Sequence, residues 1–245
     1  MPNISFIKKI NNTYITQNWE PCLVPFLFLY IIHDIYMKNL NNYIVEKLHL
    51  NKDIKVKEYN YHPKDKYELE YLIKNLIKER GSNADLNDID TNEITDMSYL
   101  FKDLDPHKIN ISKWDVSKVK TMYKMFYECE NFNSDLSNWD VSNVTNMAGM
   151  FLNCKKFNSD LSKWNVSNVK NMENMFYVCK NFNSDLSNWD VSNVTNMAGM
   201  FDRCENFNSD LSKWNVSNVK DMIDIFYGCD SLKNKPIWYK KLYKK

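Results

Sequence analysis

The chain has 245 residues, enough for one or two domains at the usual domain size. Its 44% hydrophobic and 14% aromatic content excludes a disordered chain, and only 4 Gly and 6 Pro exclude collagen-like and Gly/Pro-rich linker classes. Lys+Arg 32 against Asp+Glu 31 leaves a net charge of +1, without the basic excess that nucleic-acid binding calls for.

Residues 1–57 read as an N-terminal extension. Its main feature is the apolar run CLVPFLFLYII at 22–32, preceded by Lys8 and Lys9. The run is shorter than the roughly 20 residues of a membrane-spanning helix. Pro25 sits inside it, and His33 and Asp34 end it. No small-residue cleavage site follows, so it is not a standard secretory signal. Trp19, Glu20 and Pro21 before Cys22 do not make a lipoprotein box. The run fits an atypical signal-anchor or a buried helix. It also fits upstream sequence of a chain whose translation starts at Met37, with MKNLNNYIVEKLHL. Membrane contact through 22–32 and the compartment are left open.

Residues 58–85 read as a helical N-terminal cap. Leu69, Leu72, Ile73, Leu76 and Ile77 form an apolar stripe at helical spacing. Asp65 with Glu68 three residues later resembles a capping box, and Gly81 is a helix stop.

Residues 86–233 are a tandem repeat. Trp114, Trp139, Trp164, Trp189 and Trp214 recur at a fixed step of 25 residues. Cys129, Cys154, Cys179, Cys204 and Cys229 keep the same step, as do Phe126, Phe151, Phe176, Phe201 and Phe226. A weaker copy precedes them, with Ile89, Ile94, Met97 and Phe101 in phase and Leu104 at the Cys position. A longer period is superposed, because residues 131–151 are identical to 181–201 and 157–169 to 207–219. A block of two repeats has been duplicated.

Within one repeat, Met147, Met150, Phe151 and Cys154 are spaced i, i+3, i+4, i+7. That spacing predicts a short helix over 143–158, with Thr145 or Asn146 as N-cap. FNSDLSNWDV predicts a turn, a short strand near 136–140, and another turn. One unit cannot bury its apolar face alone, so copies must stack into a continuous core of Leu, Trp, Val, Met, Phe and Cys ladders. Strands in register would form a parallel sheet rising about 4.8 Å per coil. The expected architecture is an α/β solenoid of 25-residue coils, a short strand plus a short helix in each. Residues 234–245 are a basic cap or tail, in which Ile237, Trp238, Leu242 and Tyr243 can seal the last coil.

Chemistry-bearing residues fall into the same ladders. The five repeat cysteines have no C-x-x-C spacing and no His in phase. Stacked neighbours about 4.8 Å apart also miss the roughly 3.8 Å Cβ separation of a disulfide. Buried thiols acting as small hydrophobes are the better reading. Met147, Met150 and Met172 share the Phe face and read as core rather than soft-metal ligands. Asp135, Asp160, Asp185 and Asp210 form a carboxylate row, the best cation candidate. Hydrogen bonding to turn amides explains them better. His33, His49, His62 and His107 lie at no recognisable catalytic spacing, and no P-loop, Gly-x-Gly-x-x-Gly or nucleophile elbow is present. The sequence therefore points to no enzyme, no cofactor and no metal. The polar positions Lys118, Asn138, Lys163, Asn188 and Lys213 are the candidate binding face, since repeat arrays recognise partners through repeated exposed surfaces.

The string LSNWDVSNVTNMAGMFLNCKKFNSDLSKW resembles the BspA-like bacterial surface-protein repeat, an atypical leucine-rich repeat, and the related repeat of mycoplasma lipoproteins. The shared pattern is W-D/N-V-S-x-V-x-x-M, then M-F, then C, then F-N-x-D-L, present from Trp114 to Leu211. LNDIDTNEITDMSYLF and the helix before it resemble that family's entry into the array. The resemblance covers about residues 60–233. It implies a right-handed leucine-rich-repeat-like solenoid, cell-surface or secreted display, and binding of protein partners such as host surface or matrix proteins. It implies no catalytic residue. An intracellular interaction scaffold of the same fold is the alternative.

Overall fold

A computed structural model describes residues 59–104 and 106–242, all within one unit, Glu58–Lys245. The apolar run at 22–32, Cys22, His33, His49 and the Met37 start lie outside the described residues.

Helix α1 spans Lys66–Arg80. The Asp65 side chain caps it, accepting from the Tyr67 and Glu68 amides at 2.8 and 2.9 Å. The Glu68 carboxylate reaches back to the Lys64 amide at 2.9 Å, one residue short of the cap itself. Gly81 ends the helix at φ 85°, a left-handed value suited to glycine, and its amide donates to Ile77 O. Leu69, Ile73 and Leu76 are buried in the core that the repeats share, while Leu72 and Ile77 pack partly buried against it. Arg80 ties the helix to the first repeat through Asp85 O at 2.7 Å and Asp88 at 3.0 Å.

The repeats lie in register. Parallel bridges link Asp96 to Thr121, Thr121 to Asn146, Asn146 to Asn171, Asn171 to Asn196 and Asn196 to Asp221. Beyond each bridge, alternate amides donate to the following copy: Met147 to Asn171 O, Gly149 to Glu173 O, Phe151 to Met175 O and Asn153 to Tyr177 O. The amides between them close local turns, Met150 to Met147 O, Leu152 to Gly149 O and Cys154 to Phe151 O. Every backbone amide from 147 to 154, Ala148 included through Asn146 Oδ1, is thereby satisfied.

Two expectations for the repeat unit differ from this. The segment predicted as a helix over 143–158 is a succession of turns. Gly149 and Asn153 both take φ 62°, and left-handed residues four apart exclude a right-handed helix. The apolar spacing was nonetheless a true signal of burial, since Met147, Met150, Phe151 and Cys154 are all buried. The strand expected near 136–140 is also absent; the single-residue bridges fall at the Asn146 row instead. Asp135 and Asp140 draw the Ser137 and Ser142 amides into local turns, which compete with a strand ladder.

Aromatic rings fill the interior. Phe126 stacks on Phe132 at 4.0 Å, and Phe151 on Phe157 at 4.0 Å. Along the array, Phe151 and Phe176 are 5.7 Å apart, and Trp164 and Trp189 are 6.4 Å apart with planes 2° from parallel. Each indole N–H has a partner one copy earlier: Trp139 donates to Ile111 O, Trp164 to Leu136 O and Trp189 to Leu161 O. A large apolar surface is thus buried without stranding a polar atom.

Helix α2, Ile237–Leu242, closes the other end. Trp238 donates to Leu211 O at 2.8 Å, so it extends the indole ladder from outside the repeats. Trp238 and Tyr239 pack on Phe226 at 5.8 and 5.2 Å. Ile237, expected to seal this end, is instead exposed. The Leu242 side chain and Tyr243 lie outside the described residues.

Candidate binding faces

Asn138, Lys163, Asn188 and Lys213 occupy one exposed row, which Lys113 completes. Each follows a serine whose amide is held by an aspartate or asparagine in an Asx turn, as Asp135 holds Ser137 and Asp160 holds Ser162, both at 2.9 Å. Lys118, also exposed, does not belong to that row. It is in phase with Asn143, Asn168, Asn193 and Asn218, whose side-chain amides donate to Ser117, Ser142, Ser167 and Ser192 carbonyls one copy earlier. That second row clips copies together, so residues grouped by polarity alone serve two purposes. Lys118 pairs with Glu93 at 2.8 Å, and that hydrogen bond holds its ammonium above the ordinary lysine value.

The carboxylate row acts as the turn chemistry requires. Asp135, Asp160, Asp185 and Asp210 accept from the Ser137, Ser162, Ser187 and Ser212 amides at 2.9 Å. Hydrogen bonds from these serines hold all four carboxyls below the usual aspartate range. No three His, Cys, Asp or Glu side chains among the described residues are grouped to hold a metal ion.

The cysteine ladder is buried. Each thiol also points at a carbonyl one copy earlier: Cys154 Sγ lies 3.0 Å from Phe126 O, Cys179 2.9 Å from Phe151 O and Cys204 2.9 Å from Phe176 O. Burial pushes Cys154, Cys179 and Cys204 well above the ordinary thiol value and Cys229 up to about 12. Such thiols stay protonated, unlike a nucleophile or a metal ligand.

A face that the sequence reading overlooked lies on the turn segments. Half-buried Tyr123, Lys124 and Tyr127 line it in one copy, and buried Ala148 and Gly149 occupy the first two of those positions in the next. Glu173, Asn174 and Tyr177 follow, and then Ala198 and Gly199. The face therefore alternates bulky and small with the period of the duplicated block. Its signal was present in the sequence as Tyr127, Tyr177 and Tyr227 on alternate copies. Glycine relieves position 149 on two counts: φ is 62°, strained for an L side chain although Lys124, Asn174 and Asp224 take similar values in other copies, and a Cβ there would come within 2.9 Å of Lys124 Cγ. With the Lys124 stem lying across Gly149, its ammonium sits over the Tyr99, Tyr123 and Tyr127 rings at 5.8, 5.3 and 5.0 Å. Hydrogen bonding from Tyr99, with Lys124 beside it, holds the Tyr123 phenol below its ordinary value.

These features define a repeat protein with a uniform aromatic interior and turn faces that vary along the array. The chain belongs to the family described as "Mycoplasma protein of unknown function, DUF285", which matches residues 70–185 and 159–242 and so more than half of the chain. No curated protein and no solved structure matches it. Among the described residues, no helix is long and apolar enough to cross a membrane.

Proposed function

We propose that this chain is a non-catalytic repeat protein that binds other proteins, of the BspA-like surface type. Its coils would form a right-handed leucine-rich-repeat-like solenoid. The observation that carries the binding role is the separation of constancy from variation. Interior positions hold Trp, Phe, Cys and Val in copy after copy, while the turn face changes from half-buried Tyr123-Lys124 to buried Ala148-Gly149 to half-buried Glu173-Asn174. A constant scaffold with a surface that varies along the array is how repeat arrays achieve specificity. No cofactor enters this reading.

The alternative is an intracellular scaffold of the same fold. Five cysteines in the thiol form would ordinarily favour a reducing compartment. Here all five are buried, and burial holds Cys154, Cys179, Cys204 and Cys229 protonated, which protects them from oxidation in either setting. Protease shaving of intact source cells, read by mass spectrometry, tests surface display. Repeat peptides released from unbroken cells are expected. Their appearance only after lysis would contradict display and favour the scaffold.

A further inference from the structure

The repeat pattern breaks at one cleft. Positions 83, 108, 133, 158, 183 and 208 are in phase, and all but Lys108 are asparagine. Their side chains form a ladder along the array. Asn133 Oδ1 accepts from the Asn158 amide, Asn158 Oδ1 from Asn183 and Asn183 Oδ1 from Asn208, each at 2.9 Å. Asn83 Oδ1 accepts from the Lys108 amide at 3.2 Å. The Lys108 side chain has no acceptor to continue the series, and the Asn133 amide donates to His107 O instead, at 2.9 Å. Two further exceptions sit beside it. His107 is half-buried at the position where Phe132, Phe157, Phe182 and Phe207 are fully buried. Lys156 is exposed where Asn131, Asn181 and Asn206 stand in other copies. With Asn83, Asn131 and Asn133, these three residues line a half-open cleft of about 320 Å³. The array loses a buried ring and an asparagine link here, and such departures from an otherwise consistent pattern mark functional sites.

The cleft is rich in donors. Its lining is Lys, His and Asn, with no acidic residue. Neither Lys108 nor Lys156 has an ion-pair partner among the described residues. Glu130, next to the lining Asn131, is engaged elsewhere, by Lys155 at 2.6 Å and Asn153 at 3.3 Å. Asn83 and Asn133 commit their oxygens to the ladder, which leaves their side-chain N–H groups as donors.

The geometry points to an oxyanion site, in which a small ligand bearing a doubly charged tetrahedral group, a phosphate monoester or a sulfate, sits between the Lys108 and Lys156 ammonium groups. Two ammonium groups without internal partners match two negative charges. The Asn83 and Asn133 amides donate to the remaining oxygens, of which a tetrahedral anion has more than a carboxylate does. The cleft is large enough for the group and a small body attached to it.

Amide-resolved NMR of the full chain, titrated with inorganic phosphate at about pH 8 and constant ionic strength, tests this, since phosphate there carries two charges. Saturable shifts should appear at His107, Lys108, Asn131, Asn133 and Lys156. Sulfate should move the same amides, and the tighter of the two anions names the group that the ligand carries. Acetate, with one charge, should bind more weakly than both. Lys108→Asn and Lys156→Asn each install the asparagine of other copies, so both variants should fold, and Lys108→Asn should complete the ladder. Each should weaken phosphate by about fivefold, the worth of one exposed ion pair. Lys163→Asn, an equal change of charge at a position where Asn138 and Asn188 are in phase, should leave the affinity unchanged. Shifts that never saturate, or that spread over lysines at large, would overturn the inference. So would acetate binding as tightly as phosphate, or Lys163→Asn weakening phosphate as much as Lys108→Asn does.

Discussion

At the scale of single residues, backbone conformation and burial separate the consequences of substitution. Val178 occupies the left-handed position that Asn153 and Gly228 hold in other copies, at φ 59°. A β-branched side chain there is strained, and relief is worth about 1 kcal/mol. Val178→Asn should therefore stabilise the chain by about that amount in denaturant titration. Gly199→Ala should do the reverse, by about 1 kcal/mol, because φ is +60° and the Asn174 side chain would also have to swing away from the new Cβ. A second contrast tests the interior. Trp164 is 4% exposed, and Trp164→Ala should cost about 3–5 kcal/mol. The neighbouring Lys163→Ala should change stability by less than about 0.5 kcal/mol. Equal small effects would mean that the indole ladder is not the core.

At the scale of elements, α1 was legible because all its signals are local. Asp65, the apolar stripe and Gly81 each act within a turn or two of the chain. Asp65→Ala should lower stability by about 1 kcal/mol through loss of the N-cap, measured by thermal or denaturant unfolding. The repeat unit was legible only in part. Met147, Met150, Phe151 and Cys154 announced burial by their spacing, but the same spacing suits a helix and a chain of turns that all face one core. What decides between them is non-local. The Gly149 and Phe151 amides are satisfied by the next copy, at Glu173 O and Met175 O, and no pattern within one repeat reports a partner one copy away. The Asx turns at Asp135 and Asp140 were similarly readable as turn formers, yet their power to abolish a strand at 136–140 follows only from the amides they capture. Among the candidate face residues, phase would have separated Lys118 from Asn138, Lys163, Asn188 and Lys213, since Lys118 aligns with Asn143.

At the scale of the whole molecule, repetition turns small effects into sums. Asp135, Asp160, Asp185 and Asp210 are each held below the usual aspartate range by serine hydrogen bonds, and Asp190 likewise through Ser192. A folded-state value below the unfolded one of about 3.9 means stability that is complete above that value and lost as pH falls through the folded one. Asp202 opposes them, because burial pushes its carboxyl up. Asp88, lowered by its Arg80 hydrogen bond, makes six groups against one, so the melting temperature should hold between about pH 7 and pH 5 and decline below about pH 4. Asn at 135, 160, 185 and 210 should flatten that decline while keeping the turns, as Asn165 and Asn215 already accept from Ser167 and Ser217.

The register of the stack is the claim on which the rest depends, and it can be tested by deletion. Removing residues 131–180 excises two whole repeats and joins Glu130 to Asn181 with every ladder in phase. This variant should fold cooperatively, at a somewhat lower melting temperature, and keep the near-ultraviolet circular dichroism of its stacked indoles. Removing 131–168 instead puts Trp, Phe and Cys out of phase and should abolish both the cooperative transition and that signal. Identical behaviour of the two deletions would contradict a core built from copies stacked in register.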